Sequence, residues 1–259
     1  MFYYDLLAAH RLAFGEEALV AGLPERLRDP SRIPAHEAAR LLFNRGSGLF
    51  YSRLQLEEEG GSVDKAFIER NHAKARLAFA DAVLALNGQY TWSCRTRHER
   101  LGGPLAHRPA NFEQLAAWHV TAVEFKFHPR YESPALDVLA ERQSSLVTAW
   151  SELFLWLESI RLGRVFRSAD DYAFYNGRLF PEFPMARNLA LHLRDRLRRG
   201  KQPGAPLDYP RAPLQRALTL LLKPGKVDSE KVCRVLSVPR GATMCEIHDV
   251  YRKWWLFYN

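Results

Sequence analysis

The sequence predicts an all-α protein, a main helical bundle over residues 1–200 followed by a smaller C-terminal helical subdomain over 201–259. Three observations predict it. Apolar residues recur at three- and four-residue steps through most of the 259 residues, no stretch alternates with period two, and Pro or Gly stands near the end of most periodic runs. With 47% hydrophobic residues, a chain of this length has enough apolar surface for a substantial core.

The first run, Met1 to Phe14, sets Phe2, Leu6, Ala9 and Ala13 on one helical face, with Gly15 as its stop. Gly22 to Pro34 carries Pro24, Pro30 and Pro34 and reads as a connector. From Ala35 a helix runs to about Leu56, keeping Leu42, Leu49 and Leu56 in register across Gly46 and Gly48. A glycine inside a helix costs about 1 kcal/mol relative to alanine, so a close neighbour or a bend is expected there. Glu57 to Ser62 forms a turn into the helix around which the rest is organised, Ala66 to Leu86, entered near Asp64 and stopped by Asn87-Gly88. Its apolar stripe is Phe67, Ala75, Ala78, Phe79, Ala82 and Leu86, and Asn71, Lys74 and Asp81 fall on or beside it. Polar groups on a core-facing stripe cost stability unless they are bonded, so these three predict an internal polar network or a lined cleft.

Gln89 to Arg100 is dense in aromatic and basic residues. Asn111 caps a helix over Phe112 to about Phe127, and Ser133-Pro134 opens a long one that reaches about Leu162. Ser168 starts a short aromatic piece, Tyr172 to Tyr175. Pro184 opens Met185 to Arg199, which Gly200 closes. A linker with Pro203, Pro206, Pro210 and Pro213 leads to short helices near 214–222, 229–236 and 243–257. The last ends in Trp254-Trp-Leu-Phe-Tyr258, too aromatic for a solvated tail and expected to fold back on the bundle.

Composition narrows the function classes. No apolar run approaches the roughly 18 residues that cross a bilayer, and no signal core follows the N-terminus, so a cytoplasmic protein with no membrane partner is expected. Cys94, Cys233 and Cys245 are an odd set that suits reduced thiols. A net charge of +8 favours acidic partners, nucleotide or RNA among them. Arg194 to Lys201, with Arg95, Arg97, Arg100 and Arg108, offers basic surface, and Tyr90 and Trp92 offer stacking faces; a solvated helix face is the ordinary alternative.

Metal and nucleophile patterns are weak. Cys94-x3-His98 with His107, and Cys245-x2-His248 with Cys233, have ligand-type residues but not the doubled pairs of a zinc site, and no metal is assigned. There is no Gly-x-Ser-x-Gly elbow and no Gly-rich phosphate loop. Arg187-Asn188-Leu-Ala-Leu-His192 resembles the Arg-x4-6-His motif of HEPN-superfamily ribonucleases, all-α proteins that cut RNA without a metal. That resemblance implies His192 as the proton carrier, Arg187 on the phosphate and Asn188 beside them, acting in a dimer with the two motifs facing. The ordinary alternative is an amphipathic helix with Leu189, Leu193 and Leu197 inward and Arg194, Arg196, Arg198 and Arg199 in solvent.

Three pieces carry a second resemblance: Arg40-Leu-Leu-Phe-Asn-Arg-Gly-Ser-Gly-Leu49, Arg70 to Leu84 with Gly88-Gln-Tyr90, and Ala186 to Arg194. Together they resemble the helical region of bacterial nucleotidyltransferase-like proteins, which is similar to the HEPN and kanamycin-nucleotidyltransferase helical domains. In those proteins a nucleotidyltransferase domain precedes the helices. This sequence has Gly46-Ser47 but no Asp-x-Asp pair after it to hold Mg²⁺, and Asp170-Asp171 are adjacent. The resemblance therefore implies the helical portion alone, as a fragment, a split-gene product or a companion protein. No cofactor belongs to such a chain; Mg²⁺ and a nucleotide enter only with a separate nucleotidyltransferase domain on the same or an adjacent chain. Asn44, Arg45, Asn71, Lys74 and Asp81 are then the groups expected to face the substrate or partner, with Lys74 and Arg45 on phosphates. A helical protein-interaction domain with no nucleotide role is the third reading.

Overall fold

The computed structural model describes residues 1–259 except 12, 17–21, 58–61, 201–202 and 259. Among the described residues the secondary structure is 11 α-helices and two short 3-10 turns, with no strand. The helices are α1 (Phe2–Ala9), α2 (Ala35–Glu57), α3 (Lys65–Leu86), α4 (Cys94–Leu101), α5 (Phe112–Phe127), α6 (Leu136–Leu162), α7 (Ala169–Ala173), α8 (Met185–Arg199), α9 (Ala212–Leu221), α10 (Ser229–Leu236) and α11 (Met244–Tyr258). The first helix ends at Ala9, short of the predicted Phe14, and most of the turn at Glu57–Ser62 lies outside the described residues.

Two compact units divide the chain, Met1–Leu157 and Glu158–Asn259, with the division inside α6. The sequence places that division near residue 200. The difference arises because α9 packs on α7 and its Gln215 bonds the Tyr172 hydroxyl at 2.8 Å, which ties the later helices to residues well before 200.

In the first unit α3 packs along α2 and against α5. It starts where Asp64 accepts a hydrogen bond from the Phe67 amide at 2.8 Å and stops at Gly88, whose φ of +66° suits glycine. Gly46 and Gly48 of α2 have the close neighbours that the sequence implies. A Cβ on Gly46 would lie 2.6 Å from the Trp150 indole, and one on Gly48 would lie 2.9 Å from Asn71 Oδ1. The buried Trp150 indole N–H donates to Leu42 O at 2.8 Å. The bare Gly46 surface therefore admits a large ring that also bonds to the α2 backbone.

α4 is a helix that periodicity does not announce. Ser93 caps it by accepting from the Thr96 amide at 3.3 Å, and its buried residues are Cys94, Arg97 and Leu101. They recur at helical spacing, but one of them is a cation, so an apolar count passes over the element.

In the second unit Glu158, fully buried, accepts from Arg161 at 2.7 Å and from the Tyr172 hydroxyl at 2.8 Å. Arg216 donates to the carbonyls of Ala173, Tyr175 and Gly177, which gathers the end of α7 and the loop after it. Trp254 is buried, its ring stacks on Tyr258 and meets Phe257 edge-on within α11, and α11 packs on α10 and α9 of its own unit.

α8 reverses an expectation. Leu189, Leu193 and Leu197 are exposed, while Asn188, His192 and Asp195 are buried. Hydrogen bonds decide this: the inward polar groups find carbonyl and hydroxyl partners, and the leucines face outward in consequence.

Candidate functional site

The helices of the first unit hold two polar assemblies. The first is an interior chamber. Asp81 of α3 pairs with Arg97 of α4, and both side chains are nearly inaccessible. Arg97 also donates to Trp92 O and to Cys94 Sγ, and its guanidinium lies 4.8 Å from the centre of the Tyr90 ring. Burial opposes its charge, but the Asp81 carboxylate together with Tyr90 and Cys94 outweighs burial, and the guanidinium pKa is raised. His119 of α5 is fully buried with Nε2 3.6 Å from Asp81 Oδ1, and its ring stacks on His98. The Tyr90 hydroxyl donates to Asp5 at 3.1 Å, and burial raises the Asp5 pKa. Cys94 Sγ accepts from Arg97 at 3.0 Å and from Lys126 Nζ at 2.9 Å. Among the described residues no three His, Cys, Asp or Glu side chains converge as metal ligands.

The second assembly is a cleft of about 300 Å³ on α3, α5 and the start of α6, with His72, Arg76, Arg130, Glu132 and Arg142 in its wall. Glu69 accepts from the Glu132 and Ser133 amides at 2.9 and 3.0 Å, fixing the loop where Ser133 takes φ +47°. Arg142 reaches Glu132 at 3.3 Å. Gln143 donates to Leu49 O at 2.8 Å, which orients its amide so that Oε1 accepts from His72 Nε2–H, also at 2.8 Å. Burial holds the His72 pKa down, to about 4, so the ring is neutral at pH 7. Arg76 is half-buried, lies 5.7 Å from the centre of the Trp118 ring, and makes no hydrogen bond or ion pair to another described residue. Burial lowers its pKa, Arg142 adds to the shift, and the Glu132 carboxylate, not bonded to it, partly opposes it.

The five residues expected to face a partner are not gathered into one site. Asp81 belongs to the interior chamber, and its field reaches the half-buried Arg45. Asn71 is half-buried against Gly48, Asn44 is half-buried on α2, and Lys74 is in solvent. Of the three polar groups expected to share an internal network, Asp81 joins one while Asn71 and Lys74 do not, and the cleft is built from residues outside that set. Its signal was present: Glu69, His72, Ala73 and Arg76 share one face of α3 at helical spacing.

The residues of the ribonuclease reading do not converge. Asn188 Nδ2 donates to Leu207 O at 3.1 Å and His192 Nε2 donates to Asp208 O at 3.0 Å, on the buried side of α8. Arg187 is exposed with its guanidinium 5.3 Å from the centre of the Phe183 ring.

No family model, no curated protein and no solved structure matches this chain. The resemblance to nucleotidyltransferase-associated helices thus stands on the quoted residues alone.

Proposed function

We propose that the chain is a non-catalytic helical module of a nucleotidyltransferase-type protein or complex, and that the α3–α5–α6 cleft takes the phosphate group of its substrate. Arg76 carries this reading. A half-buried guanidinium without a bonded anion is costly to hold, and a phosphate between Arg76, Arg130 and Arg142 supplies that anion through charge-assisted hydrogen bonds. The cleft is at the small end of ligand pockets, which suits a phosphate chain whose nucleoside extends outward. A nucleotidyltransferase domain on the same or an adjacent chain supplies the Mg²⁺ site that this sequence lacks. The reading sets the protein in the cytoplasm, away from membranes; the described residues include no helix long and apolar enough to cross one. The ribonuclease reading has no comparable support, because Asn188 and His192 are engaged with carbonyls.

Equilibrium titration of the purified chain with ATP, inorganic tripolyphosphate and adenosine at low salt tests the reading. ATP and tripolyphosphate are expected to bind and adenosine is not. Absence of binding by either anion, or equal binding of adenosine, overturns it.

A further inference from the structure

α8 is fixed with its polar side inward. Asn188 and His192 donate to the carbonyls of Leu207 and Asp208, and the fully buried Asp195 accepts from Arg194 at 2.7 Å and from the Tyr258 hydroxyl. The solvent side carries Met185, Leu189, Leu193 and Leu197, exposed from 39% at Leu189 to 89% at Leu197. At about 100° per residue, these four fan across roughly 120° of the helix surface. Counted the same way, Arg194, Arg187 and Arg198 lie roughly 60–100° beyond Leu197 on one edge, and Arg196 falls within the arc of the fan, near the C-terminal end of the helix. Rolling the helix to bury the leucines would break the attachments of Asn188, His192 and Asp195 together. An apolar stripe kept outward in this way and rimmed by charge marks an interaction surface.

We infer that this face docks an amphipathic helix of a partner protein whose apolar side is bordered by Asp and Glu. Charge complementarity selects this occupant. Among the described side chains of α8 the charged groups in solvent are all arginines, and the single carboxylate is buried. A second copy of this face would bring arginine against arginine, whereas carboxylates beside the apolar side of a partner helix pair with these arginines. The four-residue spacing of Met185, Leu189, Leu193 and Leu197 forms the ridge that fits the groove of a second helix. The surface belongs to the second unit and is independent of the cleft on α3.

Two helical peptides of roughly 18 residues test the inference, with leucines at identical helix-face positions and Glu or Lys at the remaining ones. Fluorescence anisotropy is expected to show binding of the Glu peptide, weakening as salt rises from about 50 to about 500 mM. Leu193→Glu and Leu197→Glu are each expected to weaken it at least about tenfold. Arg198→Glu is expected to reduce the salt dependence, and Leu136→Glu, at an exposed leucine of α6, to change nothing. The substituted side chains are exposed, and unchanged thermal melts check that the variants fold. The inference is overturned if the Glu peptide fails to bind or the Lys peptide binds equally well. It is also overturned if Leu193→Glu dissolves a dimer of the chain seen by sedimentation. Binding to phosphatidylglycerol vesicles with no binding to the Glu peptide overturns it in favour of a lipid surface.

Discussion

Arg97 and Asp81 form an ion pair inside the first unit, with side chains only 5% and 7% exposed, and this pair joins α4 to α3. Removing one partner of a buried pair strands the other charge, at a cost of about 3–5 kcal/mol. Asp81→Ala is therefore expected to lower the urea midpoint well below that of the wild type. A variant that kept the wild-type midpoint would show that Arg97 finds another anion or water.

The two glycines of α2 are expected to respond differently to alanine. Gly46→Ala drives a methyl into the Trp150 indole, which is held by its bond to Leu42 O, and should cost about 1–3 kcal/mol. At Gly48 the obstacle is the amide end of Asn71, which can turn aside, while alanine gains about 1 kcal/mol of helix propensity. Thermal denaturation of Gly48→Ala should thus fall close to the wild type and that of Gly46→Ala well below it.

His72 sets a pH dependence of known sign. Its folded pKa is about 4, below the ordinary value of 6.5, so between these values the unfolded chain binds more protons than the folded one. Stability contributed by neutral His72 is complete above about pH 6.5 and is lost as pH falls toward 4. The loss amounts to about 3 kcal/mol at most. His72→Gln removes the titration and still offers a donor to Gln143, so stability measured from pH 7 to pH 4 should fall less steeply in the variant.

The helices of this chain were legible where an apolar stripe, a cap and a glycine or proline stop coincide, as at Asp64, Asn87-Gly88 and Pro184. α4 was not, because its inward face includes Arg97 in place of a third apolar group. The direction in which α8 faces was not legible either. Its leucine spacing points inward by hydrophobicity alone, and only the three-dimensional pairing of Asn188, His192 and Asp195 reverses it. Of the candidate site, the buried pairing of Asp81 was legible from a polar residue on a core stripe, whereas Lys74, placed on the same stripe, faces solvent. The cleft was missed because Arg130 and Arg142 reach Arg76 from other segments, a juxtaposition that spacing along one helix does not encode.

The most direct measurement of the central claim is the ATP affinity of the wild-type chain beside that of Arg76→Gln, by calorimetric titration at low salt. A phosphate held by Arg76 predicts at least about a tenfold loss in the variant, with its thermal melt unchanged. An equal affinity in the two proteins, or no ATP binding by either, would contradict the claim.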